Sequence, residues 1–125
     1  MTYKLMIVDD SNIIRNRIEK SFKHSEIQIV GTATNGVEAL QKFSELNPDF
    51  VTMDLTMPEM DGLECIQRIV AQGTGVSILV VSALTDKDTA LEALQYGARG
   101  FICKPFGEEE LNAAITRMIN LKKKK

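Results

Sequence analysis

Two adjacent aspartates, Asp9 and Asp10, directly follow a short apolar run near the start of the chain, and Asp54 and Lys104 each follow another such run. Carboxylates that lie close together repel one another, and partial burial raises the cost of keeping them ionised, so a compensating cation is expected nearby. One lysine cannot neutralise three carboxylates. Mg²⁺ prefers oxygen ligands and is commonly held by one or two carboxylates beside phosphate oxygens. A carboxylate beside Mg²⁺ and a lysine can attack a phosphoryl group, and Asp54, which stands alone, is the predicted nucleophile.

This chemistry requires the carboxylates to meet, and the hydrophobic pattern predicts elements that bring them together. Five nearly continuous apolar runs have the composition of strands covered on both faces. They span residues 4–8, 27–33, 49–53, 77–81 and 100–103. Between these runs, apolar residues recur at helical spacing and predict five helices. The predicted apolar helix positions are Ile13, Ile14, Ile18 and Phe22; Val37, Ala39, Leu40 and Phe43; Leu63, Ile66, Ile69 and Val70; Leu91, Leu94 and Tyr96; and Leu111, Ala114, Ile115, Met118 and Ile119.

Residues that start and stop helices agree with this division. Ser11 is predicted to cap the first helix, and the dipeptide Asn35-Gly36 to open the second. Gly97 and Gly100 are predicted to close the fourth helix. The acidic residues of GEEE at 107–110 suit the positive end of the fifth helix dipole.

Strands and helices that alternate in so short a chain predict a doubly wound α/β domain, with a five-stranded parallel sheet and helices on both faces. The carboxyl ends of parallel strands share one edge, and ligands bind there, where the strand order reverses. Ser82 follows the fourth predicted strand. A hydroxyl therefore joins the three acids and the lysine at this edge.

Composition excludes several classes of function. A chain of 125 residues fits one domain, predicted to span 1–125, and its net charge of -2 argues against a nucleic-acid-binding surface. Its apolar runs are too short for a membrane span or a signal peptide, so we expect a cytoplasmic protein with no membrane insertion. Cys65 and Cys103 lack CxxC spacing and are interpreted as reduced packing residues.

Four ordered motifs resemble the receiver domain of two-component response regulators. They are VDDS at 8–11, MDLTMPEMDG at 53–62, VVSA at 80–83 and CKPF at 103–106. The resemblance covers essentially the whole chain and implies the CheY-like receiver fold, which is flavodoxin-like. Since no output domain is appended, the chain is most similar to the stand-alone, CheY-like chemotaxis regulators.

The resemblance implies a role for each matching acid. Asp54 would accept a phosphoryl group from a sensor histidine kinase. Asp10, Asp54 and the main-chain carbonyl of Thr56 would bind Mg²⁺, and Asp9 would assist through water. The protein would catalyse only its own phosphotransfer and self-dephosphorylation.

The resemblance also implies how the phosphoryl group would be sensed. Lys104 would contact the phosphoryl oxygens, Ser82 would be the switch hydroxyl, and Phe101 would be the aromatic residue that swings inward. Many chemotaxis members carry Tyr at the aromatic position, whereas Phe101 has no hydroxyl to bond a partner. The Lys104-Pro105 peptide is expected to be cis. Leu84 is expected to screen the attacking water and to lengthen the phosphoryl lifetime.

A monomer with several protein partners is expected from the same resemblance. The fourth helix, fifth strand and fifth helix form the predicted docking face for a target such as a flagellar motor switch component. A phosphatase is a further candidate partner.

Each of these residues also has a simpler interpretation. Asp10 could cap a helix, Lys104 could be a surface lysine, Ser82 could cap a loop, and Phe101 could be a core residue. For the charged residues, their company at one sheet edge favours the functional interpretation.

Three alternatives to a stand-alone receiver domain are compared with the sequence. An enzyme of the haloacid-dehalogenase type would need a second acid two residues after the nucleophile, where this chain has Thr56. A phosphorylation-independent binding module would be marked by a replaced nucleophile or lysine, but Asp54 and Lys104 are both present. A receiver domain excised from a longer regulator is the remaining alternative.

Overall fold

The computed structural model describes residues 2–22, 26–55, 57, 60–83 and 87–123. All five predicted strands form, as β1 Tyr3–Val8, β2 Ile27–Ala33, β3 Phe50–Met53, β4 Ser77–Ala83 and β5 Gly100–Lys104. The predicted helices form between and after them, as α1 Asn12–Ser21, α2 Gly36–Leu46, α3 Gly62–Ala71, α4 Lys87–Gln95 and α5 Glu108–Lys123.

The strands make one parallel sheet in the order β2-β1-β3-β4-β5. Strand β1 pairs with β2 on one side and with β3 on the other, so the strand order reverses at β1. At such a reversal the connections that leave two neighbouring strands diverge, and a crevice opens at the carboxyl ends. The predicted doubly wound α/β fold is confirmed, with its crevice at the ends of β1 and β3.

Hydrophobic clusters cover both faces of the sheet. One cluster joins the sheet to α2, α3 and α4 through buried residues such as Phe43, Ile66 and Ala93. The other joins it to α1 and α5 through residues such as Ile18 and Ile115. Burial on both faces explains why the strands are apolar without alternation.

The pleat of the sheet selects the face on which the charged residues lie. Side chains two residues apart on a strand point to the same face. Asp9, Asp54 and Lys104 each stand two or four residues beyond a buried residue of the α1 and α5 cluster, namely Ile7, Phe50 and Ile102. The charged groups therefore share the face that α1 and α5 cover.

Helix caps form largely as predicted. The Ser11 side chain accepts a hydrogen bond from Ile14 N at 3.3 Å, and the Asn35 side chain accepts one from Glu38 N at 2.8 Å. Gly97, with φ of 119°, follows the end of α4. Gly100 was predicted to close α4 as well, and this is wrong, because Gly100 begins β5 and pairs with Leu79.

The apolar residues whose helical spacing predicted α4 are exposed. Leu91, Leu94 and Tyr96 are 59%, 40% and 37% exposed, and α4 buries Ala90 and Ala93. Small alanines at the contact let α4 approach the sheet closely, and the larger apolar residues then lie outside the contact. Other apolar residues at the predicted helix positions are also exposed, namely Ile13, Val37 and Val70.

Two strands extend further than their apolar runs. Strand β4 continues to Ala83 and β5 to Lys104. Ser82 and Lys104 therefore lie within the last residues of their strands, rather than just past them as predicted. Among the described residues, no helix is both long and apolar enough to cross a membrane.

Gly62, the first residue of α3, lies directly against the backbone that follows β3. A Cβ atom at Gly62 would lie 2.3 Å from the carbonyl oxygen of Asp54 and 2.6 Å from Cα of Leu55. The Gly62 N–H also donates a hydrogen bond to the Leu55 carbonyl at 3.0 Å. Any side chain here would have to displace the backbone that carries Asp54.

We expect Gly62→Ala to lower the free energy of unfolding by about 2 kcal/mol, because it overpacks a site walled by backbone atoms. Gly107→Ala is the matched control, since a Cβ atom there would meet nothing within 4 Å. Its effect should stay within about 0.5 kcal/mol. Urea denaturation of both variants measures the difference, and equal losses would contradict the close approach at Gly62.

Candidate functional site

Three carboxylates meet at the carboxyl ends of β1 and β3. Asp9, Asp10 and Asp54 each place one carboxylate oxygen within 4.8 Å of the others. Asp9 is 1% exposed and Asp54 is 4% exposed, whereas Asp10 is exposed. The backbone of the two buried acids is tied to the sheet, since Asp9 N donates to Ala33 O and Asp54 N donates to Val8 O, both at 3.0 Å. The predicted meeting of the three acids is confirmed.

Lys104 lies between the two buried acids. Its Nζ is 2.9 Å from Oδ2 of Asp9 and 3.4 Å from Oδ1 of Asp54, and its side chain is 22% exposed. Lys104 therefore compensates part of the negative charge of the cluster, and the predicted meeting of the lysine with the acids is confirmed. The resemblance implied a contact with phosphoryl oxygens, and in this structure the nearest partner of the lysine is Asp9.

Opposing effects set the protonation of Lys104. Burial by itself would lower the pKa of Lys104, but the contact with Asp9 and its charge, followed by those of Asp54, outweigh burial. The net result is a pKa above the ordinary value of 10.5. The lysine therefore keeps its positive charge at neutral pH.

The charge balance and the oxygen atoms of this cluster fit a divalent metal ion. Three carboxylates and one ammonium leave two negative charges uncompensated within the cluster. Oδ2 of Asp9 is buried and accepts no well-directed hydrogen bond from the described part of the chain, so its contact with Lys104 is an ion pair. Carboxylate oxygens alone, with charge left over, are the donor set that suits Mg²⁺.

The loop between β1 and α1 is held by hydrogen bonds to both parts of Asp9. Ser11 N donates to Oδ1 of Asp9 at 2.9 Å. Arg15 Nη1 donates to the main-chain carbonyl of Asp9 at 2.7 Å, and Nη2 donates to Oδ1 of Asn12. The sequence analysis missed Arg15. Its spacing of three residues from Asn12, which places both on one side of a helix, is the signal that could have found it.

Ser82 and Phe101 belong to the opposite face of the sheet. Ser82 is buried and stands beside Cys103 in the pairing of β4 with β5. Phe101 is partly buried and packs against the cluster that α2, α3 and α4 cover. An apolar cavity of about 220 Å³ lies beside it, lined by Phe101, Lys87, Ala90, Leu91 and Leu94. Phe101 is therefore neither fully core nor fully exposed.

The resemblance also implied features of the Lys104-Pro105 peptide and of two residues near the site, Thr56 and Leu84. The Lys104-Pro105 peptide is cis, as the resemblance implied. Thr56 and Leu84 lie outside the described residues, so their implied roles remain predictions.

Both cysteines are free thiols. Burial, then the charge of Glu64, raises the pKa of Cys65 to about 12, so this thiol stays protonated and packs in the core. The interpretation of Cys65 as a packing residue is confirmed, and Cys103 is partly buried.

Known proteins are similar to this chain in sequence and in fold. A family model described as the response regulator receiver domain matches residues 5–116. The chemotaxis protein CheY of Listeria monocytogenes is 40% identical over 91% of this chain and 96% of that protein. A protein-glutamate methylesterase/protein-glutamine glutaminase of Bacillus licheniformis is also 40% identical, over 96% of this chain but 34% of that protein. The crystal structure of a CheX-CheY-BeF3-Mg²⁺ complex from Borrelia burgdorferi gives a TM-score of 0.87 at 30% identity, over 94% of this chain and 89% of that chain.

Removing the ammonium of Lys104 should destabilise the protein in a pH-dependent way. In metal-free buffer at pH 8, we expect Lys104→Met to lower the free energy of unfolding by about 3 kcal/mol, because two buried acids lose their cation. The folded-state pKa is raised, so the stabilisation is complete below the unfolded value of 10.5 and is lost as pH rises through the folded value.

Urea denaturation of wild type and Lys104→Met between pH 7 and pH 11.5, with EDTA present, tests this expectation. Lys87→Met is the control, since Lys87 is exposed on α4. A stability difference that closes well below pH 10.5 would contradict the raised pKa.

Neutralising Asp10 should stabilise the metal-free protein and remove its response to Mg²⁺. We expect Asp10→Asn to raise the free energy of unfolding in EDTA by about 0.5 kcal/mol, a small gain because Asp10 is exposed. Mg²⁺ at ten times its dissociation constant should stabilise the wild type by about 1.4 kcal/mol and the variant by much less.

Thermal or urea unfolding with and without Mg²⁺ measures both effects, and Asp88→Asn, at an exposed acid of α4, is the control. An undiminished Mg²⁺ response in Asp10→Asn would exclude Asp10 as a ligand.

Proposed function

The chain belongs to the response regulator receiver domain family of two-component signalling proteins, and from this membership we propose that Asp54 accepts a phosphoryl group from a sensor histidine kinase. The observation that carries the proposal is the ion pairing of Lys104 with both Asp9 and Asp54 at the crevice. Asp9, Asp10 and Asp54 each have a carboxylate oxygen within 4.8 Å of the others, so the proposed nucleophile, metal ligands and phosphoryl-binding cation lie together. The similarity of this chain to CheY proteins over nearly its whole length supports a role in chemotaxis.

In the proposed reaction, a carboxylate oxygen of Asp54 attacks the phosphorus of a phosphohistidine on the kinase. The new O–P bond forms as the P–N bond breaks, and the electron pair of that bond stays on the imidazole nitrogen. The ammonium of Lys104 already contacts the carboxylate of Asp54, so it lies close enough to turn toward the incoming phosphoryl oxygens. Asp9 keeps that ammonium charged and in place.

Asp10 and Asp54 would hold Mg²⁺ together with the main-chain carbonyl of Thr56, and Asp9 would assist through water. When bound, Mg²⁺ offsets the negative charge that accumulates on the transferring oxygens. The exposed side chain of Asp10 suits a ligand that must admit an ion from solvent. Hydrolysis would return Asp54 to the free carboxylate, as water attacks phosphorus and the acyl-phosphate O–P bond breaks.

Phosphorylation would change the surface made by α4, β5 and α5. Ser82 would turn toward the phosphoryl group and Phe101 would move inward, since both lie on the sheet face that α4 covers. The exposed Leu91 and Leu94 border the cavity beside Phe101, so the position of that ring would alter an apolar surface. A difference of a few kcal/mol in phosphoryl contacts is about what a population shift requires.

This surface would bind a protein target such as a flagellar motor switch component. A second protein partner is proposed because the similar CheY of Borrelia burgdorferi is in complex with CheX, and a phosphatase is one candidate for such a partner here. We propose that the protein works in the cytoplasm as a monomeric receiver domain spanning residues 1–125, and that it does not turn over a separate substrate. Coverage of 96% of the Listeria protein supports the single receiver domain, whereas the methylesterase relative supports the alternative of a receiver within a longer regulator.

Intact mass spectrometry after incubation with acetyl phosphate tests the proposed chemistry. We expect the wild type to gain a single phosphoryl group only when Mg²⁺ is present, because Asp54 attacks the phosphorus and acetate leaves. Asp54→Asn should gain none, whereas the control Asp88→Asn should react like the wild type. A protein that gains no phosphoryl group under any condition would favour a phosphorylation-independent binding module, and a labelled Asp54→Asn would place the acceptor elsewhere.

A further inference from the structure

Arg15 connects the end of β1 to the start of α1 across the loop that carries both acids. Its side chain donates to the carbonyl of Asp9 at 2.7 Å through Nη1 and to Oδ1 of Asn12 through Nη2. Its own main-chain N donates to the Ser11 carbonyl at 3.0 Å, so Arg15 is anchored in the first turns of α1. The guanidinium therefore spans strand end and helix start with two bonds.

The carbonyl that Arg15 holds belongs to the peptide that joins Asp9 to Asp10. The other polar groups of Asp9 have their own partners: its N–H donates to Ala33, its Oδ1 accepts from Ser11, and its Oδ2 pairs with Lys104. Arg15 completes this set by fixing the carbonyl, and a fixed peptide plane sets the direction in which the next side chain leaves the backbone.

Asp10 depends on that direction more than its neighbours do. In the described part of the chain, its carboxylate has no hydrogen-bond or ion-pair partner, and it is exposed. Among the described residues, only the backbone orients it toward the other two acids, with which it shares the 4.8 Å cluster.

We propose that Arg15 is a positioning residue for the magnesium site, acting by fixing the Asp9–Asp10 peptide so that the Asp10 carboxylate faces Asp9 and Asp54. The inference rests on the proposed function, because it concerns the metal site of that same reaction. Two bonds from one planar guanidinium define an orientation that the single ammonium of a lysine would not reproduce.

The positive charge of Arg15 and its proposed positioning role predict opposite effects on Mg²⁺ affinity when Arg15 is removed. A guanidinium near the site repels Mg²⁺, so its removal would tighten Mg²⁺ binding if charge alone mattered. Loss of positioning would weaken binding instead. The sign of the change therefore separates the two roles.

The experiment measures Mg²⁺ affinity by isothermal titration calorimetry, and the free energy of unfolding in EDTA, for the wild type, Arg15→Met and Arg15→Lys. We expect both substitutions to weaken Mg²⁺ binding by about tenfold, the range found when groups that orient metal ligands are removed. The control Arg17→Met, at an exposed position of the same helix, should change the affinity by less than about twofold.

Asn12→Ala provides a second variant that keeps the charge of Arg15 and removes one of its two acceptors. It should weaken Mg²⁺ binding in the same direction but by less. Tighter binding in Arg15→Met with an unchanged Arg15→Lys would overturn the positioning role, and so would a loss of stability with unchanged affinity in both. A wild type that binds no Mg²⁺ would instead overturn the metal site of the proposed function.

Discussion

The site depends on one constraint, the repulsion among three carboxylates at the carboxyl ends of β1 and β3. Two of them, Asp9 and Asp54, are almost fully buried, where water cannot screen their charges. Lys104 reaches both and stays protonated because of them, yet it leaves negative charge over. Without a metal ion, the charges of the cluster are therefore only partly balanced. A cluster with this charge balance gains from binding a divalent cation.

The fold makes this arrangement possible through the position of β1. Because β1 lies between β2 and β3, its carboxyl end stands beside that of β3 at the reversal of strand order. The acids therefore come from strands that are adjacent in space and distant in sequence. Gly62 then lets α3 begin against the backbone of Asp54, so the start of α3 packs against the loop that carries the proposed nucleophile.

The two faces of the sheet divide the proposed switch between them. Asp9, Asp54 and Lys104 lie on the face that α1 and α5 cover, whereas Phe101 packs on the side of α2, α3 and α4. Under the proposed function, a new phosphoryl group at the carboxyl ends of the strands would change contacts on both faces of the sheet, since Ser82 lies at the end of β4 beside β5. Exposed leucines on α4 give that second face an apolar surface on which a partner could detect the change.

The sequence by itself determined the five strands, the helix order, most caps and the membership of the acid and lysine cluster. These features depend on local composition, on capping chemistry and on a topological rule that collects strand ends at one edge. Only the tertiary structure decided which apolar residues of α4 are exposed, that Lys104 lies nearest to Asp9, and that Arg15 holds the Asp9 carbonyl. The spacing of apolar residues predicts a helix, but it does not indicate which neighbour each of these residues contacts. Those contacts depend on how closely separate elements pack, and the distances that result are properties of the assembled fold.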